Sequence, residues 1–73
     1  MFEVFGSSNC AACASAKDLL ISRKLTFTYL NIEEDEDALD RFTEFRRRSV
    51  PLILRDGQAI GGFEDLKNAL MDT

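Results

Sequence analysis

Asp56-Gly57 stands between two apolar, strand-like segments, Val50 to Arg55 and Gln58 to Ile60. An Asp-Gly pair accepts the positive φ angles of a two-residue hairpin, so these segments pair antiparallel. The first half of the chain carries a different signal. Phe2-Glu3-Val4-Phe5 reads as a short strand. Residues 11–24 read as a helix with Ala12, Ala16, Leu19 and Leu20 on one face and Lys17, Asp18, Arg23 and Lys24 on the others. Thr26 to Ile32, rich in β-branched and aromatic residues, is a second strand. Strand, helix and strand in that order require a crossover connection and parallel pairing. A chain with both signals is committed to a mixed sheet.

In the second strand Phe27 and Tyr29 point to one side, Leu30 and Ile32 to the other. A strand apolar on both faces is expected inside a sheet that is covered on both sides. The covering helices are legible. Ala38, Leu39, Phe42 and Phe45 have helical spacing, and after the break at Gly61-Gly62 a last helix from Phe63 to Met71 buries Phe63, Leu66, Ala69 and Leu70. The expected fold is α/β, in the order βαβ then αββα, with a four-stranded mixed sheet flanked by three helices. No linker or repeat interrupts it, and 73 residues hold one domain, 1–73. The acidic run Glu33 to Asp37 before the second helix and Arg46-Arg47-Arg48 after it complement the helix dipole, so neither run demands a partner.

Thirteen acidic against nine basic residues leave a net charge of −4, which argues against affinity for nucleic acid or anionic lipid. Leu19-Leu20-Ile21 and Val50 to Leu54 are far shorter than the roughly 20 apolar residues that cross a bilayer. Glu3 interrupts the first apolar run, so no secretory signal is read and a cytoplasmic location is expected. In that reducing compartment a close cysteine pair is redox-active or metal-binding before it is structural.

The pair is Cys10-Ala11-Ala12-Cys13, after the turn cluster Gly6-Ser7-Ser8-Asn9 and at the entrance of the first helix. Unpaired N–H groups and the helix dipole favour an anion there, so Cys10 is the expected thiolate nucleophile. Cys13, one turn on, is placed to attack a mixed disulfide on Cys10. Zinc takes four ligands and the chain offers two cysteines and no histidine, so no metal site is assigned. An iron–sulfur cluster bridged between two chains is a competing reading.

The run from Val4 through Cys13, with Ala16-Lys17-Asp18-Leu19-Leu20 after it, resembles the active-site segment of the glutaredoxins. Ser49-Val50-Pro51 is similar to that family's Thr-Val-Pro, and Ile60-Gly61-Gly62-Phe63-Glu64-Asp65-Leu66 to its Gly-Gly segment followed by an acid. The resemblance spans almost the whole chain and implies a thioredoxin-like fold. It further implies a cis peptide before Pro51 that leaves Val50 free to pair with a peptide-like substrate. Glutathione would then lie along Ser49, Val50, Pro51, Gly62, Phe63, Glu64 and Asp65, with its γ-glutamyl carboxylate on the N–H groups of the last helix and its amino group on Asp65. Two features depart from the family: Ala11-Ala12 stands where many relatives carry Pro-Tyr, and Ser7-Ser8-Asn9 lacks the usual upstream cation. Arg46, Arg47 or Arg48 is positioned to supply that cation.

The resemblance implies a glutathione-dependent thiol–disulfide oxidoreductase, monomeric, with catalytic Cys10 and Cys13 and with glutathione as co-substrate, not a tightly bound cofactor. Its substrates would be protein disulfides or glutathionylated proteins, and its short form is similar to the electron donors of ribonucleotide reductase. The alternatives are a glutaredoxin-like donor recharged by thioredoxin reductase and a glutathione-assisted iron–sulfur carrier.

Overall fold

The elements follow the expected order in a computed structural model that describes residues 1–71. The single-domain expectation over 1–73 runs two residues beyond the described ones. The strands are β1 (Phe2–Gly6), β2 (Phe27–Asn31), β3 (Leu52–Arg55) and β4 (Gln58–Gly61); the helices are α1 (Ala11–Ser22), α2 (Glu36–Glu44) and α3 (Phe63–Met71). The sheet order is β2-β1-β3-β4. β1 runs parallel to β2 and antiparallel to β3, which is antiparallel to β4. The Asp56-Gly57 turn takes φ angles of 53° and 86°, as a two-residue hairpin requires.

The sheet separates two apolar layers. Phe2, Val4 and Ile53 pack with Ala16 and Leu20 of α1 and Leu66 and Leu70 of α3. Phe5, Leu52 and Leu54 face Ala38 and Phe42 of α2 on the other side. Alternate β1 residues thus serve opposite cores, as the period of a strand dictates. β2 departs from expectation. Its residues do contact both layers, Phe27 and Tyr29 on one and Leu30 on the other. Yet β2 is an edge strand and only half-buried. Two-sided apolarity reports coverage of the faces, not a neighbour on each edge.

Local chemistry explains the helix ends. Asp35 caps α2, its Oδ1 accepting the N–H groups of Asp37 at 3.0 Å and Ala38 at 3.2 Å. Lys24 and Arg46 follow α1 and α2 in the left-handed region, each with φ 58°. Behind Lys24 the Leu25 N–H reaches the Leu20 carbonyl, and Lys24's own N–H reaches Ile21, which closes the end of α1.

The buried stripe of α1 is Cys13, Ala16 and Leu20, while Ala12 is exposed. The expected core position at Ala12 is corrected by one residue, and Cys13 opens the stripe. Leu39 and Phe45 of the α2 region are exposed, and Phe63 and Ala69 of α3 are half-buried, so only Leu66 and Leu70 of the expected four are fully covered. No helix among the described residues is long and apolar enough to cross a membrane.

Candidate active site

β1 and β2 end side by side, with Gly6 opposite Asn31, so the loops leaving their C-terminal ends adjoin. Cys10 is the N-cap of α1, in extended conformation, and its Sγ accepts the Cys13 N–H at 3.1 Å. The two cysteines are joined as a disulfide with Cα atoms 5.2 Å apart. Their environments differ. Cys10 is half-buried and reaches the surface, whereas Cys13 is 1% exposed. An incoming thiolate can therefore meet Cys10, and Cys13 is reached only through it.

The loop that presents Cys10 is tied down from β2 and its exit. Tyr29 Oη donates to the Ser7 carbonyl at 3.2 Å, and Asn31 Nδ2 to Ser8 Oγ at 3.1 Å. The Ser8 N–H donates to Glu33 Oε1 at 2.8 Å, and the Ile32 N–H to the Gly6 carbonyl at 2.9 Å. A Cβ at Gly6 would collide with the Tyr29 hydroxyl and ring edge, so a larger residue there would displace Tyr29. Burial, and then the Glu33 carboxylate, raise the Tyr29 pKa above its ordinary 10.0, which keeps the donating phenol protonated. Sequence reading missed Tyr29, Asn31 and Glu33. Their signal was position: parallel strands gather functional groups beyond their C-terminal ends.

Beside Cys10 lies a groove of about 400 Å³ whose walls include Ser49, Val50, Arg48 and Phe42. Val50-Pro51 is cis. Ser49 and Val50 share the groove with Cys10, while Pro51 is buried. Glu33 lines the same groove, the one acid in its walls among the described residues.

Gly62, Phe63, Glu64 and Asp65 do not line this groove. They start α3, and Arg47 links them to it: its Nη2 donates to the Pro51 carbonyl at 3.3 Å and would lie 3.3 Å from a Cβ on Gly62. Asp65 reaches back to cap its own helix, Oδ2 accepting the Gly62 N–H at 3.0 Å. Part of the carboxylate expected to receive a ligand ammonium is therefore already engaged. Phe63 turns partly into the α1–α3 core, and Glu64 is exposed. Of the three arginines, Arg48 and Arg47 stand at the site, whereas Arg46 is spent on the left-handed turn after α2.

Comparison with known proteins agrees with this geometry. The glutaredoxin family model matches residues 2–60. The glutaredoxin-like protein NrdH of Lactococcus lactis subsp. cremoris (strain MG1363) is 30% identical over 63 residues, 86% of this chain and 88% of that one. The structure of a buckwheat glutaredoxin–glutathione complex superposes with a TM-score of 0.83 at 20% identity, over 97% of this chain and 68% of that one. NrdH-redoxin from Escherichia coli does so with a TM-score of 0.79 at 16% identity, over 92% and 91%. A mixed sheet with a cysteine pair at the head of its first helix, and a sequence matched over most of its length, place the chain in the glutaredoxin family, the thiol–disulfide oxidoreductases of thioredoxin-like fold.

Proposed function

We propose that this protein is a dithiol reductant of protein disulfides and glutathione mixed disulfides, and that glutathione restores its Cys10–Cys13 pair. One observation carries the reading: the accessible sulfur of Cys10 opens onto a groove walled by Ser49, Val50 and Arg48, with Arg47 beside Pro51 and Gly62. The arginines stand in for the upstream cation that Ser7-Ser8-Asn9 lacks. In the forward reaction the Cys10 thiolate attacks a substrate disulfide and one substrate thiol leaves. Cys13 then attacks Cys10 Sγ, the second thiol leaves, and the pair closes to the disulfide. Two glutathione thiols reopen it and depart as glutathione disulfide. Ribonucleotide reductase is the proposed protein target, because the chain resembles its short donors and aligns with NrdH over nearly the whole of both. The proposed form is a cytoplasmic monomer, with α3 receiving the γ-glutamyl carboxylate at its N-terminus.

Turnover of a glutathione mixed disulfide coupled to glutathione reductase tests this. Wild type is expected to be active, Cys10→Ser inactive, and Cys13→Ser still able to remove glutathione. A second reading, recharging by thioredoxin reductase, is favoured by Ser7 in the cation's place and by Glu33 in the groove. Activity with thioredoxin reductase and none with glutathione would select it.

A further inference from the structure

A second pocket, of about 290 Å³, touches Cys10 from the α1–β2 side, away from the Ser49-Val50 wall. Ser7, Ser8, Lys17, Tyr29 and Asn31 make it polar, and no acid lines it among the described residues. Among the described residues the Lys17 ammonium, 4.1 Å from the centre of the Tyr29 ring, is its one formal charge and has no ion-pair partner. Glu33 accepts the N–H of Ser8 at the pocket's edge and forms no ion pair with Lys17. A half-buried cation with no ion-pair partner among the described residues, lining the same pocket as Cys10, fits an anionic group carried in by the nucleophile.

We propose that this pocket admits the thiol that opens the Cys10–Cys13 disulfide, and that Lys17 binds that thiol's carboxylate. The reductant class is a small thiol bearing a carboxylate. Its thiolate forms a bond to Cys10 Sγ as the Cys10–Cys13 bond breaks, and the electron pair leaves on Cys13 Sγ. A second thiolate then attacks the outer sulfur, releasing a small-molecule disulfide and the Cys10 thiolate. Two thiols are oxidised and one protein disulfide is reduced. The proposal rests on the reading of Cys10–Cys13 as a redox pair recharged by small thiols.

The test follows opening of the oxidised protein by 3-mercaptopropionate, cysteamine and dithiothreitol, each thiol compared across variants so that its own pKa cancels. In Lys17→Gln the rate with mercaptopropionate, divided by the rate with dithiothreitol, is expected to fall roughly three- to fivefold, the scale of one partly exposed ion pair. The cysteamine ratio should hold or rise, and Lys17→Arg should restore the mercaptopropionate ratio. Equal slowing with all three thiols would overturn the proposal, since Lys17 would then act on the disulfide and not on the thiol. An unchanged mercaptopropionate ratio would overturn it as well. If dithiothreitol fails to open the wild-type disulfide, it is the redox reading beneath the proposal that fails.

Discussion

Arg47 donates to the carbonyl of Pro51 at 3.3 Å, and the same nitrogen stands over Gly62, so one guanidinium bridges the cis-proline loop and the start of α3. The three consecutive arginines therefore have unequal roles. Arg47→Ala and Arg48→Ala are expected to raise KM for a glutathione mixed disulfide about fivefold each, the value of a partly screened charge contact. Arg46→Ala should leave KM near wild type. Steady-state kinetics on the three variants checks this, and equal effects at all three positions would count against the assignment.

Gly61 has φ 130°, and a Cβ there would collide with the Asp65 carboxylate. Gly61→Ala is expected to cost about 2 kcal/mol or more, through backbone strain and displacement of the Asp65 cap. Urea denaturation measures the loss.

The left-handed residues after α1 and α2 predict the opposite sign. Lys24 and Arg46 each hold φ 58° with a side chain present. Glycine removes the steric cost but loosens the unfolded chain, so Lys24→Gly and Arg46→Gly should each stabilise by about 0.5–1 kcal/mol net. Denaturation midpoints of the two variants give the answer.

Tyr29 is the sole tyrosine and the chain has no tryptophan, so phenolate absorbance titrates one group. Its midpoint is expected above 10.0, because burial and the Glu33 charge both oppose the anion. Glu33→Gln should lower the midpoint while keeping an acceptor for the Ser8 N–H. A pKa raised on folding means that the folded state holds its proton where the unfolded state has lost it. Tyr29 thus contributes stability that is complete below the unfolded pKa and is lost as pH rises through the folded one. Tyr29→Phe should flatten the stability profile over that alkaline window, as read by urea denaturation at successive pH values.

The sequence by itself determined what neighbours in the chain can settle. The Asp56-Gly57 hairpin, the span of α3 and the cysteine at the head of α1 all depend on groups a few residues apart, and each was legible. The family motifs added the cis peptide at Pro51. What adjoins across the sheet was decided by the tertiary structure alone. β2 became an edge because β1 pairs with β3 on its other side, a choice that no periodicity within β2 encodes. Ser7 and Tyr29 are 22 residues apart and Ser8 and Glu33 are 25 apart, so their hydrogen bonds exist only because β1 and β2 end together. Arg47 and Arg46 read alike in sequence; the left-handed turn after α2 turns one toward Pro51 and leaves the other outside the site. Local propensity is a sum over nearby residues, while a binding site is set by where separate elements come to rest, and the second is not contained in the first.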